Sequence, residues 1–200
     1  MFLLKEKTVP RKLGREEIGK LKELYGIRRG PEYFFSLLHA VRELGLSAEE
    51  KEDLGLIYVS HLGPVHQVRK YVDDLLSFPP EECSPALFSH SVFNAPTAFL
   101  TQHLSLHGPS LCLCGFRDLV EASVLSAYAW LETSCCARVL LLCSDEESEI
   151  SSKITELTGL KLFPSTHLLL LGEKGADEKS LPASPRLLIE KINRQIREEQ

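Results

Sequence analysis

The chain alternates between amphipathic stretches, with apolar residues three and four apart, and short runs that are apolar almost throughout. Three such runs are Leu54–Leu62 (LGLIYVSHL), Arg138–Ser144 (RVLLLCS) and His167–Gly172 (HLLLLG); Leu111–Cys114 is a shorter fourth. A strand with no polar face must be covered on both sides, so these runs predict buried strands of the kind found in parallel or central positions. The intervening segments carry helical spacing. Ile18, Leu21 and Leu24 mark a short helix at 15–25, closed by Gly26. Phe34, Leu37, Leu38, Val41 and Leu44 share one face of a helix opened by Pro31.

The same reading continues along the chain. Ser47 followed by Glu49 and Glu50 reads as an N-cap with acids in the first turn. Pro64–Phe78 predicts a helix with Val65, Val68, Val72, Leu75 and Leu76 turned inward, ended by Pro79-Pro80. Val92–Leu106 predicts a helix carrying Phe99, Leu100 and Leu104. Asp118 and Glu121 have capping-box spacing before a helix with Val120, Val124, Tyr128 and Leu131 on one face. Further helices are expected at Glu149–Leu157, stopped by Gly159, and at Pro185–Gln200, with Leu188, Ile192 and Ile196 buried. Met1–Gly30 is basic and mixed, and Gly175–Pro185 reads as a polar loop. Helices alternating with all-apolar strands predict one α/β domain over 1–200, with a mostly parallel mixed sheet of about four to five strands and helices on both faces.

Composition narrows the function classes. The 200 residues are 44% apolar and 26% charged, with net charge -5, so no general attraction to nucleic acid or to an anionic membrane is expected. No apolar run approaches the roughly 18 residues needed to span a bilayer. MFLLK is too short to be a signal-peptide core, so a cytoplasmic location with reduced cysteines is expected. Four of the six cysteines lie in or beside apolar runs and read as packing residues. The CxC and CC spacings are not metal-ligand patterns, and no metal or other cofactor is expected.

No GxSxG, P-loop, GxGxxG or HExxH motif is present. Asp145-Glu146-Glu147 follow a strand end, where α/β sites cluster, but read more simply as a solvated loop. The junction Cys114-Gly115-Phe116-Arg117-Asp118 is more informative, because it joins a buried strand to a helix start. A thiol at such a mouth would have a lowered pKa, and an arginine there must pair with an acid or point to solvent.

The segment SPALFSHSVFNAPTAFLTQHLSLHGPS (Ser84–Ser110) resembles the β-ketoacyl synthases of the thiolase superfamily, and most of all their short, chain-length-factor-type relatives. The Ser-Pro, Ser-Val-x-Asn-Ala and Gly-Pro-Ser elements carry the resemblance, which extends over roughly Phe35–Glu146. It implies half of a thiolase-like fold. In active members the nucleophilic cysteine stands seven residues after the serine of Gly-Pro-Ser; here that position is Arg117. The family's two histidines and lysine come from a second half that this sequence does not show.

The resemblance therefore implies a catalytically inactive subunit acting with an active ketosynthase in fatty-acid or polyketide biosynthesis. Its partner would be a ketosynthase or a second copy of itself, with an acyl carrier protein as a further contact. Phe93, Asn94, Phe116, Arg117 and Asp118 are the expected tunnel or interface residues. The alternative is an acyl-transferring condensing enzyme with Cys114 as nucleophile and His90 or His61 as base.

Overall fold

The apolar runs become neighbouring strands of one sheet in the computed structural model, which describes residues 1–172, 181–182 and 184–198. The strands are β1 (Phe2–Val9), β2 (Leu54–Ser60), β3 (Ser110–Cys114), β4 (Arg138–Cys143), β5 (Thr166–Gly172) and a two-residue β6 (Leu181–Pro182), in the order β3-β2-β4-β5-β1-β6. β2 pairs in parallel with both β3 and β4, while β5 and β1 continue the sheet antiparallel.

Both faces are covered, which is why three of the strands have no polar side. Leu54, Leu56, Tyr58, Leu140, Leu142, Leu168 and Leu170 join a core on one face with helices α1 (Arg15–Tyr25), α2 (Glu32–Glu43) and α6 (Ala95–Leu104). Ile57, Val59, Val139, Leu141, Leu169 and Leu171 join a core on the other with α7 (Leu119–Glu132) and α9 (Pro185–Glu198). The remaining helices are the four-residue α3 (Ala48–Lys51), α4 (Val65–Ser77), α5 (Pro85–Ser91) and α8 (Glu149–Thr158). The cap at Ser47 is a full capping box with Glu50, and Gly159 ends α8 in the left-handed conformation. Gly108 is required by close approach: a Cβ there would stand 2.3 Å from the Leu54 carbonyl oxygen.

Several expectations need correction. The basic N-terminal segment contains β1, whose register with β5 runs from Phe2↔Gly172 to Val9↔Thr166. Its Lys and Glu side chains line an exposed stretch, so no apolar pattern announced it; pairing with β5 decides its state. The helix expected over 92–106 begins only at Ala95; Val92–Asn94 form a turn, and α5 ends before them at Ser91. In α4, Val65 and Val68 are half-buried, Gln67 is the buried residue, and Val72, Leu75 and Leu76 are exposed, although α5 and α8 pack against the helix. Tyr128 is likewise exposed. Asp118 precedes α7 with φ 52°, a left-handed conformation, and its carboxylate caps no amide. The polar loop expected over 175–185 lies largely outside the described residues.

Candidate functional site

The junction between β3 and α7 comes from a simple alternation. Leu111 and Leu113 face the α7 side of the sheet, so Cys112 and Cys114 face the opposite side, where Cys112 packs beside the α2–α6 core. The two sulfurs are 3.6 Å apart, and the Cys112 thiol donates to the Phe93 carbonyl at 3.0 Å. Hydrogen bonding with Cys112 and burial push the Cys114 thiol far above the ordinary cysteine range. Cys114 thus stays on the strand, away from the helix mouth that would activate it.

The turn beyond it places Phe116, Arg117 and Asp118 in solvent. Arg117 makes no ion pair among the described residues. Phe93 is exposed against the strained turn at Gly63, where a Cβ would stand 2.7 Å from its ring. Asn94 precedes α6 and is exposed, with no capping hydrogen bond from its side chain. His90 packs edge-on against Phe34, with ring centroids 5.8 Å apart, and burial lowers its pKa. The expected residues therefore divide: Phe116, Arg117 and Asp118 share one turn, whereas His90 lies against the α2 core.

A denser site lies at the ends of β2 and β4. The parallel register pairs Val59 with Cys143, so His61 and Asp145, each two residues further, meet on the same face. Asp145 is fully buried and accepts five hydrogen bonds. Its Oδ1 takes Ser60 Oγ (2.7 Å), the His61 amide (2.7 Å) and the Leu62 amide (3.4 Å). Its Oδ2 takes His61 Nδ1 (2.7 Å) and the Phe163 amide (2.8 Å). Burial raises the Asp145 pKa, but the His61 bond and charge and the Phe163 amide outweigh it, and the net shift is downward. The bond to Oδ2 makes Nδ1 the protonated ring nitrogen and leaves Nε2 without a partner among the described residues. The His61 ring packs on Phe163 at 4.7 Å between centroids. His61 also borders a cleft of about 330 Å³ whose lining includes Phe116, Arg117, Lys161, Asn193 and Arg197.

The next residue behaves differently. Glu146 points to the α2 side, into a cleft of about 510 Å³ bordered by Arg11, Lys12, Tyr33, His66 and Lys70. It accepts the His66 amide at 2.8 Å, but burial dominates and raises its pKa to about 7. The solvated-loop reading of Asp145 and Glu146 is therefore overturned, since both are buried. The sequence carried a usable signal: two carboxylates directly after an all-apolar strand, with a histidine at the matching position after its parallel neighbour. Among the described residues, no group of three His, Cys, Asp or Glu side chains is arranged to hold a metal, and no helix is long and apolar enough to cross a membrane.

The comparisons agree with this architecture. The family described as beta-ketoacyl synthase, N-terminal domain, matches residues 39–159, more than half of the chain. No curated protein sequence matches it. Among solved structures, the ishigamide ketosynthase/chain length factor superposes with a TM-score of 0.60 at 16% identity, covering 72% of this chain and 44% of that one. The ketosynthase ApeO in complex with its chain length factor ApeC, from Xenorhabdus doucetiae, gives 0.55 at 16% identity, covering 88% and 81%. A beta-ketoacyl synthase from Burkholderia phymatum STM815 gives 0.60 at 12% identity, covering 86% and 59%. The chain thus spans about half the length of the first of these and most of the length of the second. At these identities the superpositions establish a shared thiolase-like α/β fold, and the sequence match over 39–159 places the chain in the beta-ketoacyl synthase N-terminal domain family.

Proposed function

We propose that this chain is a non-catalytic ketosynthase-like subunit of the chain-length-factor type, acting with an active ketosynthase in fatty-acid or polyketide synthesis. The observation that carries the reading is the β3–α7 junction. An exposed arginine stands where the family resemblance puts the nucleophile, and the nearby thiols face the other side of the sheet with no activating base hydrogen-bonded to them. Condensation through an enzyme-bound thioester needs a thiolate at that mouth.

Two surface features support a partner. Among the described residues β3 is an edge strand, paired only with β2, so one row of its backbone donors and acceptors is open. Several large apolar side chains, Leu76, Phe78, Phe88, Phe93 and Phe116, are also at least half exposed. Exposed large apolar side chains of this kind fit a protein interface. The structures above pair a ketosynthase with a chain length factor, which fits the same partner class here.

The test is co-purification of the full chain with a full-length ketosynthase from the same organism, followed by native mass measurement. A stable heteromeric complex is expected, and Phe88→Asp with Leu76→Asp should abolish it. If neither a heteromeric complex nor a homodimer forms, the reading fails. The alternative, a condensing enzyme acting through Cys114, requires selective alkylation of that thiol by iodoacetamide. Slow labelling of Cys114, no faster than the buried Cys143, is the expected result.

A further inference from the structure

The cleft beside the His61–Asp145 pair has a chemistry of its own. One wall is cationic: Arg117, Lys161 and Arg197 all border it, all are exposed, and none makes an ion pair among the described residues. His61 also borders the cleft, its ring held by Asp145 and by Phe163. The remaining wall is apolar and includes Phe116, Val120, Ile189 and Ile196. Two acids, Asp118 and Glu121, also border the cleft, so the three cations leave a surplus of positive charge.

Three cations with no ion pair among the described residues, beside an apolar wall, suit one ligand class. We propose that this cleft binds an amphipathic oxyanion, a carboxylate or phosphate head on a short apolar chain. The head is held by Arg117, Lys161 and Arg197, and the chain lies against Phe116 and its apolar neighbours. The guanidinium groups offer paired donors to two oxygens at once. The cleft's volume of about 330 Å³ accommodates a ligand of this small size.

The experiment is titration of the full chain with hexanoate and, separately, hexyl phosphate, read by calorimetry and by amide and imidazole ¹⁵N shifts. Saturable binding is expected, with shifts at His61, Phe116 and Lys161. Acetate, inorganic phosphate and hexanol should each bind at least about tenfold more weakly, because each lacks the head or the chain. Arg117→Ala combined with Lys161→Ala should weaken binding about tenfold or more, and Glu121→Gln should tighten it. Arg117 and Lys161 are exposed and unpaired, so an unchanged Tm confirms that these variants fold. Binding of hexanoate alone assigns a carboxylate head, and binding of hexyl phosphate alone a phosphate head. Failure of both to saturate, equal affinity for hexanol, or full affinity in the double variant overturns the proposal.

Discussion

Asp145 and Glu146 are adjacent, both carboxylic acids and both buried, yet they are pushed in opposite directions. Asp145 lies on the α7–α9 side of the sheet and accepts five hydrogen bonds, including one from a histidine; its pKa falls. Glu146 lies on the α2 side, takes the His66 amide and a side-chain bond from Gln67, and its pKa rises to about 7. Burial penalises the charge of both. What separates them is how many donors the fold has aligned on each before the charge arrives. Asp145 is a knot that ties the ends of β2 and β4 to the Phe163 loop, whereas Glu146 is a half-satisfied acid at the edge of a cleft.

The largest expected effect comes from cutting the knot. Asp145→Ala leaves several donors buried without an acceptor and should lower unfolding stability by about 3–5 kcal/mol in urea denaturation. A loss below about 1 kcal/mol would show that Asp145 ties nothing together.

Glu146 should be visible through pH. Its folded pKa lies above the unfolded value, so its contribution to stability is complete below about pH 4.5 and is lost as pH rises through about 7. The loss is about 3 kcal/mol across that window. Glu146→Gln keeps an acceptor for the His66 amide and should flatten this slope in pH-dependent melts. Asp145 has the opposite sign: its depressed pKa stabilises the fold above its unfolded value near 3.8, and that stability is lost as pH falls through the folded value. A variant lacking the Glu146 carboxyl should therefore retain the acid-side loss alone.

A smaller effect tests the charge that partly offsets Glu146 burial. Lys70 draws the Glu146 pKa down, so Lys70→Ala should move the midpoint of that slope to higher pH by a fraction of a unit. The smallest expected change in stability is on the open flank. Leu76 is 81% exposed, and Leu76→Ser should alter the stability of the isolated chain by no more than about 0.5 kcal/mol. The same substitution should measurably weaken assembly with a ketosynthase.

The contrast between buried and open regions also shows what could be read from residues. The apolar runs at 54–62, 138–144 and 167–172 could only be covered strands, because no solvated face was available to them. Pro31, Ser47 and Gly159 marked helix ends through local backbone chemistry that needs no partner. The spacing that puts Arg117 at the family's nucleophile position was likewise a matter of counting from Ser110. Tertiary structure alone decided the rest. β1 is a strand because β5 offers its backbone, not because its Lys and Glu residues favour one. The apolar stripe of α4 looks inward on a helical wheel, but its C-terminal half, Val72, Leu75 and Leu76, is left exposed. Cys112 and Cys114 face the α2–α6 side because sheet alternation carries Leu111 and Leu113 toward α7. His61 meets Asp145 across 84 positions of sequence because the parallel register of β2 and β4 sets them side by side. Local pattern fixes which elements can form; the pairing register decides which distant side chains become one site.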